Sequence, residues 1–404
     1  MHDVLVYKGK YHIPVPSGKY VVGTLDVMTP GSENEGIFAR FYYPAEGLGH
    51  YAAYKEWPLW LPHPECYNGL ATVTKALPLP VWLKAKIIGI MWNTVHIPTV
   101  PSAKPIKKPH PFIMFSHGLG ANRTMYSSIS MDLASHGFFV MNIEHREQSA
   151  CASFKPSSDG EGLEWIRHQA LTQGSEEDYP VRVAQVCFEK RLDIRIKELS
   201  RGLDLVEQLN AGTPVVNVLD KGGKFDLTNF KGIIDLSKPV LMGHSFGGAT
   251  TLVGLSKEPR FKAGALLDPW LFGLRETISQ LPEEIDKPLL TINMEDFVTK
   301  EKSLAQLKAF LSSRSEVERV MCTIRGTVHY NQTDVPFATS RRMKPLGGSV
   351  SETGEHVSRQ LNIAVLRLFL HRQLGLKEPR DCHDIVREYE TLVEKIQWFD
   401  DRIV

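Results

Sequence analysis

The sequence predicts an α/β chain, a mostly parallel sheet covered by helices on both faces. Short apolar runs recur from residue 112 onward, and segments of helical period lie between them. One of the runs ends in a glycine-bracketed serine, the mark of a sharp strand-to-helix turn. Strands that alternate with helices pair in parallel, and such strands read as continuous apolar stretches because both faces are buried.

Taken in order, an alternating run from Ile37 to Tyr43 stands alone in an N-terminal stretch that is otherwise rich in proline and aromatic residues as far as Pro109. Buried strands follow at 112–115 (F-I-M-F), 138–143 (F-F-V-M-N-I), 240–242 (V-L-M), 264–267 (G-A-L-L), 289–293 (L-L-T-I-N) and 320–324 (V-M-C-T-I). Helices are expected near 123–136, 189–209, 246–256 and 301–313. A further helix at 353–373 carries an apolar stripe of Val357, Leu361, Val365, Leu366 and Leu368 or Phe369, and another is expected at 384–398. Residues 151–188 and 211–235 read as insertions, and no linker divides the chain. The expectation is one domain over 1–404: an N-terminal extension (1–109), a catalytic core (110–375) and a C-terminal helical tail (376–404).

Composition narrows the function. The 404 residues are 42% apolar, enough for a large core, and 47 basic groups balance 46 acidic ones. Without a run of Lys or Arg to track a phosphate backbone, nucleic acid is not an expected partner. Five scattered cysteines without a C-x-x-C spacing fit a reducing compartment rather than a disulfide scaffold or zinc site. The first residues show neither a secretion signal nor a myristoylation glycine, so a cytoplasmic location is expected. Two sequons, at Asn122 and Asn331, fall beside the candidate catalytic residues, where a glycan would crowd the site.

The chemistry centres on G-H-S-F-G, residues 243–247. In a nucleophile elbow the serine sits on the turn, flanking glycines permit close backbone approach, and the following helix points free N–H groups at a developing anion. A bare G-x-S-x-G arises by chance in about one chain in seven of this length, so the strand before Ser245 and the helix-compatible run after it carry the weight. A serine hydroxyl needs a histidine to take its proton and an acid to hold that histidine. His329, in R-G-T-V-H-Y-N after the last expected strand, stands where the order Ser, acid, His puts the base. His244 reads as a packing residue. Position alone leaves the acid open, because Asp268 ends one strand while Glu295 and Asp296 follow the next. Upstream, H-G-L-G at 117–120 ends another strand, so the N–H groups of Leu119 and Phe246 are the expected oxyanion pair. Gly118, Trp270 and Tyr330 adjoin these groups and are expected to line the substrate pocket.

Five ordered blocks, F-S-H-G-L-G-A-N-R-T-M-Y-S-S, D-L-A-S-H-G-F-F-V with E-H-R, G-H-S-F-G-G-A-T, L-D-P-W-L-F and G-T-V-H-Y-N, span residues 112–337. Together they resemble the platelet-activating factor acetylhydrolases, calcium-independent phospholipases A2 of the group VII/VIII type with the α/β-hydrolase fold. The resemblance implies Ser245 as nucleophile, Asp268 rather than Asp296 as acid, His329 as base, and Leu119 with Phe246 at the oxyanion. It implies hydrolysis of a short sn-2 acyl ester of platelet-activating factor or a similar phospholipid, with no metal or organic cofactor. Asn122, Glu147 with Gln148, Pro269 and Tyr330 depart from the usual family residues without removing a catalytic atom. A broad short-chain carboxylesterase and a non-catalytic lipid-binding protein are the alternatives.

Residues 81–92, V-W-L-K-A-K-I-I-G-I-M-W, admit two readings. As an amphipathic helix with Leu83, Ile87, Ile90 and Met91 on one face and Trp82 and Trp92 at its edges, the segment would make peripheral contact with lipid surfaces. As a packed helix it would shield the site. It is too short and too charged to span a bilayer.

Overall fold

The structure, a computed structural model, describes residues 5–396 apart from 33–34, 75–77, 158–161, 170–180, 275–277, 280, 301–303, 314–315 and 341. The apolar runs pair into one sheet because each carries apolar side chains on both faces and can be buried only between two helical layers. Its ten strands lie in the spatial order Val393–Ile396, Arg319–Ile324, Leu289–Met294, Ala263–Leu267, Ile234–His244, His110–Ser116, Phe139–Ile143, Phe38–Ala45, Val21–Met28 and Val100–Pro101. From Arg319–Ile324 through Phe139–Ile143, every pairing is parallel.

Alternation along each strand sorts side chains into two layers. Ile113, Phe115, Val140, Val240, Met242, Leu290 and Ile292 enter one core with the helices Ser127–Ser135 and Glu355–Leu374. Phe112, Met114, Phe139, Met141, Leu241, Leu266 and Leu289 enter the other, with the helices Val181–Ala211 and Phe246–Lys257. The two-residue period of a strand enforces this division.

This is the mostly parallel, two-sided sheet that the strand and helix pattern predicts, in the α/β-hydrolase arrangement that the resemblance implies. Strand order reverses beside His110–Ser116, since the next strand in the chain pairs on one side of it and Ile234–His244 on the other. The crevice beyond the carboxyl ends of these two strands is therefore where such sheets bind ligands. Both candidate loops, H-G-L-G and G-H-S-F-G, open there.

Three features differ from the sequence reading. The strand Val21–Met28 went unread, and it pairs antiparallel with Phe38–Ala45, so the first hundred residues build part of the main sheet. Between these strands Arg40 grips Asp26 with two bonds of 2.7 Å, and that buried pair interrupts the apolar alternation. The expected helix at 384–398 is instead the helix Arg380–Glu388 followed by the strand Val393–Ile396, which pairs antiparallel with Arg319–Ile324. Sheet pairing at an open edge overrides the weak helical pattern there. The insertion at 151–188 holds a hairpin of Ala152–Pro156 and Leu163–Arg167 and the first turns of the long helix.

Two short helices, Glu65–Val73 and Val81–Trp92, lie against each other over the crevice. The first packs its backbone directly on the chain that follows the strand Phe139–Ile143, which itself bonds the end of the H-G-L-G loop. A Cβ on Gly69 would sit 1.7 Å from the Cys151 carbonyl oxygen, and Cys151 N–H in turn donates to Ala121 O at 2.8 Å. Gly69→Ala must therefore push the helix off its seat, at a cost of roughly 1–3 kcal/mol. The expected outcome is a lower denaturation midpoint by circular dichroism, and an unchanged midpoint would show that the contact yields without strain.

Candidate active site

The turn at Ser245 is the most constrained backbone in the crevice. Ser245 adopts φ 57° and ψ −118° between the strand Ile234–His244 and the helix Phe246–Lys257. A side-chain-bearing residue held there costs on the order of 1–3 kcal/mol, which surrounding bonds must offset. Ser245 N–H donates to Leu267 O, while Ser245 O accepts from Gly248 N–H and Trp270 N–H, each at 2.9 Å. The flanking glycines are required sterically. A Cβ on Gly243 would lie 2.1 Å from Gly247 O, and one on Gly247 would lie 2.1 Å from Ser116 O.

Asp268 follows the neighbouring strand Ala263–Leu267 and also lies at positive φ, 45°. It is fully buried, with Oδ1 accepting Met294 N–H at 2.7 Å and Oδ2 2.9 Å from His329 Nδ1. Burial pushes its carboxyl above the usual range, and the bond from His329 opposes that shift. Asp296 lies on the helix Glu295–Lys300, and its backbone N–H donates to Thr327 O at 3.0 Å.

His329 opens a one-turn helix after the strand Arg319–Ile324. Its ring is stacked on Phe297 at 4.8 Å between centroids and lies 4.4 Å from the ring of His244. The turn is tied down at both ends. Val328 N–H donates to Asn331 Oδ1 at 2.8 Å, and Asp334 accepts Ser127 N–H, Ser128 N–H and Trp60 Nε1–H at 2.7, 2.9 and 3.0 Å. The histidine loop is thus anchored to the helix that follows the H-G-L-G loop.

That loop is fixed by its neighbours. Gly118 N–H donates to Tyr126 Oη at 2.9 Å, Gly118 O lies 2.8 Å from His117 Nδ1, and Gly120 N–H donates to Ser149 O at 2.7 Å. Among the described residues, no protein acceptor takes the N–H of Leu119 or of Phe246. Tyr126 Oη also meets His244 Nδ1 at 3.0 Å, which links the loop to the ring beside His329. Burial and the nearby His329 hold His244 well below the usual imidazole range, so it is neutral. His244 thus packs, as its position suggested, but it packs on His329 and lines the cavity.

The cavity has a volume of about 620 Å³. Gly118, Leu119, Ser245, His329 and Tyr330 line it, and Ile87, Ile88, Met91 and Trp92 supply an apolar roof. Trp270, expected in the wall, is not among the lining residues. It stacks on Phe272 and meets the lining residue Phe188 edge-on at 4.9 Å, so it supports the wall from behind. Phe246 points its ring into the same layer. Phe188 was not anticipated, because its neighbours in sequence carry no motif, and Tyr126 lies in the F-S-H-G-L-G-A-N-R-T-M-Y-S-S block but was given no role there.

The only group of described residues arranged to hold a metal ion is His244, Asp268 and His329, with one ligand atom from each within 4.8 Å of the others. A cation there would compete for the lone pairs through which His329 moves a proton. Asn122 and Asn331, the two sequon residues, are both buried.

With this geometry in place, comparisons with known proteins are informative. A family profile described as "Platelet-activating factor acetylhydrolase, isoform II" matches residues 5–391. The chain is 37% identical to a platelet-activating factor acetylhydrolase of Bos taurus over 388 residues, covering 95% of this chain and 82% of that one. It is 33% identical to the protein of the same name in Gallus gallus, covering 93% and 86%. A ferulic acid esterase from Streptomyces cinnamoneus has a similar fold, with a TM-score of 0.58, 17% identity and coverage of 96% of this chain and 99% of that one.

The contact between Gly247 and Ser116 makes a specific demand. Gly247→Ala should separate the elbow from the H-G-L-G loop and lower stability by about 1–3 kcal/mol, measured by urea denaturation. Wild-type stability would show that the approach is looser than the backbone geometry requires.

Proposed function

The chain belongs to the platelet-activating factor acetylhydrolase family, and on that premise we propose that it hydrolyses the short sn-2 acyl ester of platelet-activating factor and similar phospholipids. The observation that carries this reading is the convergence of Ser245, the hydrogen-bonded pair His329 and Asp268, and two unoccupied backbone N–H groups on one switch-point crevice. Ser245 Oγ attacks the sn-2 carbonyl carbon while His329 Nε2 takes its proton. Asp268 holds the opposite ring nitrogen protonated and compensates the imidazolium. The tetrahedral oxyanion accepts the N–H groups of Leu119 and Phe246. Collapse releases the lyso-lipid, with His329 protonating the leaving oxygen, and leaves acyl-Ser245. Water deprotonated by His329 then attacks the acyl carbon and frees acetate.

The helix Val81–Trp92 packs as one reading of its sequence expects, but the face read as interfacial is largely turned inward, since Ile87 and Met91 line the cavity and Trp92 is buried, and only Trp82 and Ile90 of that set are exposed. Its inner side buries Ala85, Ile88 and Trp92 and uses Lys84 Nζ to bond Thr74 O at 2.7 Å. On the outer side Trp82 and Ile90 are 68% and 70% exposed, two helical turns apart with the exposed Lys86 between them. Apolar side chains flanking a cation suit the boundary of a phospholipid surface. Peripheral contact through this face brings substrate to the roof of the cavity. No helix among the described residues is long and apolar enough to cross a membrane. The five cysteines, none of them in a disulfide, and the two buried sequon asparagines support a cytoplasmic setting.

The catalytic assignment is tested with an sn-2 acetyl phospholipid. Ser245→Ala should fold and lose hydrolysis, and Asp268→Asn should lower kcat by roughly 10⁴-fold while Asp296→Asn costs far less. A severe loss in Asp296→Asn with little change in Asp268→Asn would move the acid to the later strand.

The interfacial assignment is tested separately. Replacing Trp82 and Ile90 together with serine should weaken liposome binding by up to about 3 kcal/mol per side chain, yet leave hydrolysis of a soluble acetate ester near wild type. Unchanged partitioning rejects the contact, and a joint loss of binding, hydrolysis and thermal stability assigns both side chains to packing.

A further inference from the structure

Behind the H-G-L-G loop lies a buried polar cluster that no step of the proposed chemistry uses. Arg195, on the helix Val181–Ala211, is fully buried beneath the ends of two strands. Its Nη1 donates to His117 O at 2.8 Å and to Thr250 Oγ1 at 3.2 Å, and its Nη2 donates to Ser149 Oγ. Its Nε donates to Glu147 Oε1 at 2.7 Å, and the guanidinium lies 4.4 Å over the Phe246 ring. One side chain therefore touches the loop that carries Leu119 N–H, the residue that carries the second free N–H, and the helix behind the elbow.

A second chain of bonds runs beside it. Ser116 Oγ meets His145 Nε2 at 2.8 Å, and His145 Nδ1 meets Glu198 Oε2 at 2.6 Å. Burial, reinforced by Glu147, pushes Glu198 up to about 8, and burial with Arg195 holds His145 well below the imidazole range. His145 N–H donates to His117 Nε2 at 3.1 Å, which leaves the His117 proton on Nδ1, facing Gly118 O. Gly118 O belongs to the same peptide plane as Leu119 N–H, so this bond sets the direction in which that N–H points.

We infer that Arg195 is a positioning residue for ester hydrolysis, holding the Leu119 and Phe246 N–H groups at the spacing that an oxyanion requires. The inference rests on the functional reading above. A fixed pair of donors acts where charge develops, so a displaced donor lowers kcat and leaves substrate binding nearly unchanged. Ser116, His145 and Glu198 support the same loop through His117. Their order imitates a Ser–His–acid relay, but the chain is sealed from the cavity and serves geometry.

The test compares Arg195→Lys with wild type on p-nitrophenyl acetate and on a trifluoromethyl ketone inhibitor, whose serine adduct bears an oxyanion. Lysine keeps a cation beside Glu147 but cannot span His117 O, Thr250 and Ser149 together. The expected result is a fall in kcat of roughly 10- to 100-fold, below the loss of a whole donor, with KM changed less than about threefold. The inhibitor's Ki should rise by the same factor as kcat falls, which a merely structural role does not produce. If Arg195→Lys does not fold, the pair Arg195→Gln with Glu147→Gln, which strands no buried charge, is read by the same criteria. Wild-type kcat and Ki in a folded variant, or a fall in kcat with unchanged Ki, overturns the inference. Full activity in Ser245→Ala would instead sink the functional reading, so the two failures are distinguishable.

Discussion

The approach of Gly247 to the carbonyl of Ser116 is the contact on which the crevice depends. It places the elbow against the end of the strand His110–Ser116 and so brings the turn carrying Ser245 beside the loop carrying Leu119. The register agrees, since Gly243 pairs with Ser116 on one side and with Leu266 on the other, which carries Asp268 into the same row of strand ends. Three parallel strands in register thus deliver the donor loop, the serine and the acid to one edge. Only backbones without side chains can close to this distance, so the glycines are geometric requirements of the turn.

The strained residues sit where this packing over-determines them. Ser245 and Asp268 both hold positive φ, and each is bonded by backbone or side chain to the neighbouring strand. Ser245 N–H reaches Leu267 O, and Asp268 N–H reaches Ile292 O. These bonds keep both residues in conformations that side-chain-bearing residues rarely adopt.

What the sequence reveals follows from periodicity. Runs buried on both faces are conspicuous, so the parallel strands from His110–Ser116 to Arg319–Ile324 and the helix Glu355–Leu374 are legible, although the central strand starts at Ile234, six residues before its apolar run and ahead of a break in register. Val21–Met28 escapes because Gly23, Thr24 and Asp26 dilute its apolar signal, although its buried partner Arg40 neutralises that aspartate. Val393–Ile396 escapes because a four-residue edge strand has too few positions to set a period. In the crevice, Ser245 and His329 are legible from chemistry and position and Asp268 only with the family resemblance, while the parts played by Tyr126, Phe188 and Arg195 are not. Phe188 and Arg195 reach the site from a helix whose sequence distance from the motifs is set by the fold, and Tyr126 acts through a contact that its own block does not reveal.

A buried ion pair adds little net stability, because desolvation offsets most of its attraction. The Arg195–Glu147 pair could be replaced together by apolar side chains of similar volume at small cost, although removing Arg195 alone would strand the Glu147 charge. Net stability therefore does not account for the placement of the pair. Geometry does. A guanidinium offers several donors in one rigid plane, and here they reach His117 O, Thr250, Ser149 and Glu147 from a single buried position. An apolar residue would fill the same volume and leave the His117 carbonyl without that donor. Backbone amides can act on a developing charge only if they are already aligned when it appears. The polar cluster behind the loop is a physical means of holding that alignment beside a cavity roofed by the apolar side chains of Ile87, Ile88, Met91 and Trp92.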